Sequence, residues 1–166
     1  MSYEDDYINT CAEPLADYFD FQNRISTPGQ IFSDKLWSEY RFSIADKVIR
    51  FSAINASWMS TVPELPGTLI FPVEKYAQQQ EDVGAINILL IHHPLNWYAQ
   101  STYHPLRAMA KVNYQFVMSG HEHTGIEQEV RDFQGNALMM FEAPALSSKG
   151  TSKFSVLLID LEQECV

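Results

Sequence analysis

Hydrophobic and polar positions in the middle of the chain predict strands and helices in alternation. Residues 47–54 alternate and are rich in β-branched side chains, whereas residues 86–91 form a mainly apolar run. The first pattern is typical of a strand with one face on a core, and the second of a strand buried on both faces. A further apolar run at 114–118 predicts a third strand. Helical spacing at 73–81 and 104–112 places a helix between successive strands, the order expected of an α/β fold.

The N-terminal quarter of the chain has the spacing of helices instead. Residues 11–25 carry apolar side chains at helical intervals after Pro14. Ser33 is placed to cap a second helix that would extend to about Phe42. We therefore expect residues 1–45 to form a helical lead-in to the α/β part.

The last third of the chain has the pattern of antiparallel strands. Residues 125–133 and 137–142 flank Gln134-Gly135-Asn136, a plausible hairpin turn, and residues 153–161 alternate as a strand does. Residues 46–161 are therefore expected to form an α/β core, and all 166 residues a single domain. Its fold is predicted to be a mixed β-sheet or a two-sheet sandwich with flanking helices.

Composition indicates a soluble globular protein and narrows the choice of partner. The chain has 166 residues, 46 % hydrophobic and 19 % charged, enough for one core, and no apolar run long enough to span a bilayer. Its formal net charge of −10, without a cluster of Lys and Arg, disfavours binding to nucleic acid. The acidic N-terminus lacks a signal-peptide pattern, and Cys11 and Cys165 form no redox or metal spacing, so a cytoplasmic location is the simplest expectation.

Histidines gather where the predicted strands end. All five histidines lie between positions 92 and 123, four of them directly after predicted strands. Because the carboxyl ends of parallel strands meet at one edge of a sheet, their side chains are expected to converge there. Imidazole is the commonest metal ligand in proteins, and zinc, manganese and iron all accept it. His92, His121 and His123 are therefore predicted to bind a divalent transition metal.

Two nearby residues are candidates for substrate contact. His93 precedes Pro94, which favours an extended backbone, and a structural or substrate-edge role is preferred to metal binding. Asn55 ends another predicted strand, where it either reaches the same cleft or, as preferred, folds back on its own loop. Glu122 is expected to be solvated or to support the ligands without binding metal itself.

Two segments resemble motifs of one enzyme family. Phe116-Val117-Met118-Ser119-Gly120-His121-Glu122-His123 resembles the final Gly-His-x-His signature of calcineurin-like metallophosphoesterases. Leu89-Leu90-Ile91-His92-His93-Pro94-Leu95 resembles the penultimate signature, and Asn55-Ala56-Ser57-Trp58 resembles an Asn-Ser strand end that many bacterial members place before it. The two histidine motifs stand in the family's order, roughly thirty residues apart, with a helix and a strand predicted between them. The resemblance extends from about Lys47 to Leu161.

The resemblance implies a metal-dependent phosphoester hydrolase. In that family two ions share a bridging aspartate, and a bridging water attacks phosphorus while the metals hold the phosphate oxygens. By resemblance, His92 and His121 would bind one ion and His123 the other, with manganese, iron or zinc as the metal. The implied substrate is a phosphorylated small molecule or a phosphodiester.

The chain also departs from the family, because the opening motifs Asp-x-His, Gly-Asp and Gly-Asn-His do not occur in it. We therefore expect the C-terminal half of a phosphoesterase domain, with no catalytic residue of its own and activity confined to a longer parent. One alternative is a truncated or degenerate domain that acts as a non-catalytic interaction module, because a half-sheet leaves an edge and an apolar face open to association. Another is a single-metal site on the three histidine ligands.

Overall fold

The structure is a computed structural model that describes residues 5–25, 27–77, 84–123, 125–131, 137–144 and 153–160. Its strands are β1 (Gln30–Ser33), β2 (Trp37–Ile44), β3 (Lys47–Ile54), β4 (Ile86–Leu90), β5 (Phe116–His123), β6 (Glu127–Arg131) and β7 (Ala137–Pro144). Its helices are α1 (Asp5–Cys11), α2 (Ala16–Arg24), α3 (Val73–Tyr76) and α4 (Gln100–Asn113). None of the described helices has the length and apolar character needed to cross a bilayer.

The seven strands form one sheet in the order β1-β2-β3-β4-β5-β7-β6. The central strands β3, β4, β5 and β7 pair in parallel. At one edge β1 and β2 continue the sheet in antiparallel pairing, and at the other edge β6 is antiparallel to β7. The prediction of an α/β fold with a mixed sheet and flanking helices is confirmed, and the described strands form one sheet rather than a sandwich. Its likeness to half of a phosphoesterase domain stays a prediction.

One face of the sheet is covered and carries the main core. Trp37, Leu89 and Val117 are at most 1 % exposed, and they belong to the same packed cluster as Leu106 and Ala110 of α4. Side chains four residues apart lie on one face of a helix, so α4 can present both to the sheet. Each leucine-sized side chain buried in this way contributes about 1.5–3 kcal/mol. The core thereby fixes β4 and β5, the strands that precede the histidine motifs.

A buried ion pair lies on the covered face. Nη2 of Arg50 donates to Oε1 of Glu39 over 2.5 Å, and both residues are only 5 % exposed. Nε1 of Trp37 donates to the same carboxylate oxygen over 2.8 Å. Since a buried charge is tolerated only when it is paired and hydrogen-bonded, these contacts explain how Glu39 occupies a core position.

The opposite face of the sheet carries apolar side chains that remain partly exposed. Strand pairing sets Phe51 beside Ile88, Ile88 beside Phe116, and Phe116 beside Met139. Ile88 is buried, but the other three of these are each only half-buried. A cleft of about 390 Å³ separates α2 from one end of this face, with Tyr40 of β2 among its lining residues. We call this row of Phe51, Ile88, Phe116 and Met139 the apolar sheet face.

The predicted helix from Ser33 to Phe42 is wrong, because this segment contains the end of β1 and most of β2. Asp34 explains the turn between them: its Oδ1 accepts hydrogen bonds from the backbone N–H groups of Leu36 and Trp37, both at 2.8 Å. Beyond the turn, burial alternates as in a strand, with Glu39 on the core side. The helical lead-in predicted for residues 1–45 therefore holds only for α1 and α2.

The predicted final strand at 153–161 is also wrong over its described part. Residues 153–160 have no regular secondary structure, and position 161 lies outside the described residues. Phe154, Val156 and Leu158 are 76 %, 82 % and 91 % exposed. Alternation makes a segment competent to form a strand, but a strand also needs a partner for its backbone groups, and no described strand pairs with this segment.

The remaining predicted elements form with shifted ends. The strand at 47–54 has the predicted bounds, the next strand ends at Leu90, and β5 extends past 118 to His123. The helix predicted for 73–81 is described only as Val73–Tyr76, and positions 78–83 lie outside the described residues. The predicted antiparallel pairing of the last third is confirmed by β6 and β7, although the turn at 134–136 is outside the described residues.

Candidate metal centre

The histidine motifs lie side by side because β4 and β5 are parallel neighbours. Two backbone hydrogen bonds continue their association beyond the end of β4. The N–H of Ile91 donates to the carbonyl of Met118, and the N–H of Gly120 donates to the carbonyl of His92, both over 2.9 Å. The chain after β4 is thus attached to β5 at the point where β5 reaches its own histidines.

A bulge in β5 accompanies the unusual backbone of His121. Ser119 pairs with Glu142 and His123 with Pro144, so three residues of β5 stand opposite one residue of β7. Within this bulge His121 has a φ of +71°. A residue other than glycine in the left-handed region costs on the order of 1–3 kcal/mol, and such residues cluster at functional sites. The bulge therefore marks His121 as a candidate functional residue on conformational grounds alone.

The structure brings three imidazoles together at this edge. One ring nitrogen from each of His92, His93 and His121 lies within 4.8 Å of the other two. Nδ1 of His121 is 3.2 Å from Nε2 of His92, and the ring centroids of His93 and His121 are 4.3 Å apart. No other such group of His, Cys, Asp or Glu occurs among the described residues. These three nearby histidines can hold a metal ion; we call them the histidine cluster.

His93 has the most constrained environment of the three. It is only 2 % exposed, whereas His92 is exposed and His121 half-buried. Nε2 of His93 lies 3.0 Å from Oε2 of Glu64, and its buried Nδ1 has no hydrogen-bond partner among the described residues. The hydrogen bond with His93 is the main cause that lowers the pKa of Glu64 below its ordinary value. Glu64 is therefore ionised near neutral pH, and its Oε2 accepts a hydrogen bond from Nε2 of His93.

His93 and Glu64 are the residues that sequence reasoning placed least well. For His93 the sequence favours a structural or substrate-edge role over metal binding, because adjacent side chains alternate in an extended chain. The backbone instead bends at positions 92 and 93 after β4 ends, and both imidazoles enter the same cluster. Glu64 belongs to no motif or predicted element of the sequence. It lies in an irregular segment 29 positions before its partner, where no local pattern signals the contact.

The other predicted site residues have different outcomes. The backbone of His123 belongs to β5, but its side chain lies outside the described residues, so its role as a ligand stays a prediction. The amide of Asn55 is engaged locally: Nδ2 donates to the carbonyl of Lys35 over 2.9 Å, and Oδ1 accepts from the N–H of Ser57 over 3.0 Å. These bonds correspond to the loop role that the sequence favoured for Asn55 over substrate contact.

Trp97 forms one wall beside the cluster. Its ring centroid is 4.2 Å from that of His121, with the two planes nearly perpendicular. Nε1 of Trp97 donates to Oε1 of Glu122 over 2.6 Å. Glu122, which separates the two histidines of β5, is thus hydrogen-bonded to the tryptophan rather than to a ring of the histidine cluster.

Comparisons with known proteins do not assign the chain to a family. No protein-family model matches the chain, and no curated protein matches it. The likeness to calcineurin-like metallophosphoesterases therefore rests on the histidine motifs of the sequence, and the metal-binding capacity rests on the histidine cluster.

Proposed function

We propose that this chain supplies histidine ligands to a metal-dependent phosphoester hydrolase. The observation that carries the proposal is the convergence of His92, His93 and His121 at the ends of two parallel strands. These residues belong to the two motifs that resemble the metallophosphoesterase signatures, and the edge at which they lie is where α/β proteins commonly bind ligands.

The donor set supports a transition metal rather than magnesium or calcium. Imidazole suits zinc, manganese and iron, whereas magnesium and calcium prefer oxygen ligands. The unpartnered Nδ1 of buried His93 fits a metal as well, because a buried lone pair without a partner is costly and a metal would satisfy it. A bound dication would lower the pKa of a coordinated water and stabilise charge on a phosphate. Two ions, as in the family, would require carboxylates and His123 in addition to the cluster.

The arrangement of the three imidazoles also supports access by a substrate. His93 and Trp97 enclose one side of the cluster, while His92 is exposed to solvent. A small phosphorylated molecule or a phosphodiester can approach from that side. The net charge of −10 opposes a long polyanion, so nucleic acid is the less suitable substrate.

Metal analysis and a phosphatase assay test this proposal together. After incubation with zinc or manganese and dialysis, we expect about one ion per chain, because three histidines suffice for one zinc. Hydrolysis of nitrophenyl phosphate and of its diester is expected to stay near background, because the acidic motifs of the family are absent from the chain. If the chain did hydrolyse these esters with metal, and His92→Ala abolished the hydrolysis, this chain alone would carry the activity. Absence of bound metal under every condition would remove the proposed function.

The apolar sheet face favours a second candidate, a non-catalytic interaction module. Phe51, Phe116 and Met139 stay partly exposed on either side of the buried Ile88, and exposed apolar side chains that share one face commonly mark protein interfaces. If this face mediates association, light scattering should give a mass above that of one chain, and Phe116→Lys should lower it. Ile126→Lys is a matched control, since Ile126 is exposed outside the row. A monomer at all concentrations would argue against the module.

A further inference from the structure

We propose that Glu64 is a positioning residue that prepares His93 to bind metal by fixing which ring nitrogen carries the proton. The inference rests on the proposed function in one respect, namely that a metal binds at the histidine cluster. Its starting point is the contact between Nε2 of His93 and Oε2 of Glu64 at 3.0 Å. This contact occupies one nitrogen of the ring and leaves the other, Nδ1, unpartnered among the described residues.

The chemistry of the two groups determines the tautomer. An ionised carboxylate only accepts hydrogen bonds, so the hydrogen between Glu64 and His93 lies on Nε2. In a neutral imidazole with its proton on Nε2, the lone pair lies on Nδ1. A metal binds an imidazole through the lone pair of its unprotonated nitrogen, so this tautomer leaves Nδ1 of His93 free to bind.

Burial makes the alternative tautomer unfavourable. His93 is 2 % exposed, so water does not compensate a misplaced proton there. A proton on Nδ1 would be a buried donor without an acceptor, and the bond to Glu64 would be lost at the same time. Glu64 thus selects the binding-competent ring before any metal arrives, which is the role that carboxylates behind metal-binding histidines commonly have.

A second carboxylate provides a matched control. Glu122 also lies beside the cluster, but its side chain accepts a hydrogen bond from Nε1 of Trp97 rather than from a histidine ring. Removing Glu122 takes away a negative charge near the cluster without freeing His93. A loss of affinity that is specific to Glu64 therefore reports the hydrogen bond, and an equal loss in both variants reports only charge.

The experiment compares the parent chain with Glu64→Ala and Glu122→Ala. Long-range proton–nitrogen NMR spectra of the metal-free chain, near neutral pH, identify the protonated nitrogen of each histidine. We expect His93 to be protonated on Nε2 in the parent chain and to become a mixture of tautomers in Glu64→Ala. Competition with a chromophoric chelator then measures zinc affinity. The dissociation constant should rise roughly 10–100-fold in Glu64→Ala and change less than about 3-fold in Glu122→Ala.

The outcomes separate this inference from the proposed function. If the parent chain carries the proton on Nδ1 of His93, or if Glu64→Ala binds zinc as tightly as the parent, the role of Glu64 is rejected while the metal site stands. If the parent chain binds no zinc, the metal site is rejected, and the proposed role of the contact between Glu64 and His93 is rejected with it. The tautomer in the parent chain is measured without any substitution, so the test does not depend on how well a variant folds.

Discussion

Zinc affinity is expected to fall at least about 100-fold when His121 is replaced by alanine, since loss of a ligand should exceed the 10–100-fold cost of losing a supporting residue. His121 contributes Nδ1 to the cluster, 3.2 Å from Nε2 of His92. The pairing of β5 with β7 on both sides of the bulge holds the backbone of His121 in place. Alanine therefore removes the imidazole, and this pairing is expected to keep the local fold. Chelator competition or titration calorimetry measures the change directly.

His104→Ala is the matched control for this substitution. His104 is exposed on α4, and its ring contacts Tyr103 rather than the cluster. The control should bind zinc as the parent chain does. If His121→Ala retained the metal content of the parent, the histidine cluster would not be the binding site, and a proposal based on strand-end histidines would have to be abandoned.

The second large effect concerns stability rather than metal binding. Arg50→Met is expected to lower the free energy of unfolding by about 3–5 kcal/mol, the usual cost of leaving one member of a buried ion pair uncompensated. Glu39 would keep its hydrogen bond from Trp37 but lose the charge that Arg50 supplies over 2.5 Å. Urea denaturation followed by fluorescence or circular dichroism gives this quantity from the shift in midpoint.

Two further variants show whether charge burial is the cause. Glu39→Gln combined with Arg50→Met removes both charges and keeps an acceptor for Nε1 of Trp37, so the double variant should regain most of the stability lost in the single one. Arg131→Met breaks the exposed ion pair with Glu129 on β6, and exposed pairs are worth about 1 kcal/mol or less. A loss in Arg50→Met no larger than that in Arg131→Met would contradict the argument.

The ion pair and the histidine cluster depend on neighbouring strands of the same sheet. Arg50 of β3 stands opposite Asn87 of β4, the strand from which His92 and His93 emerge. A destabilised β3 therefore removes support from one side of the cluster. Zinc affinity in Arg50→Met should be measured only under conditions where unfolding curves show that the variant is folded.

The sequence by itself determined the strands whose pattern depends on burial alone. Residues 47–54 form a strand with the predicted bounds, and the runs beginning at 86 and 114 lead to β4 and β5. Such runs have few alternatives, because a mainly apolar segment of this length must be buried and β-branched side chains fit a pleated sheet. The positions of His92 just past the end of β4 and of His121 near the end of β5 followed from the same pattern.

The segment from Ser33 to Phe42 shows what local pattern could not determine. Its apolar residues fit a helix, and a strand would bury the carboxylate of Glu39, an unfavourable choice when judged from this segment alone. The guanidinium that makes burial acceptable is on Arg50, eleven positions further along the chain. Pairing between β2 and β3 decided the structure, and it became favourable only when both strands were assembled.

Only the tertiary structure decided which atoms the site contains. Spacing along the chain predicted that histidines would meet at one sheet edge, because the direction of parallel strands follows from their alternation with helices. The inclusion of His93 required the bend after β4, and the partnership of its Nε2 with Glu64 required a loop from elsewhere in the chain. A hydrogen bond between distant residues depends on angles and distances of about 3 Å, and these are determined by the packed fold rather than by residue order.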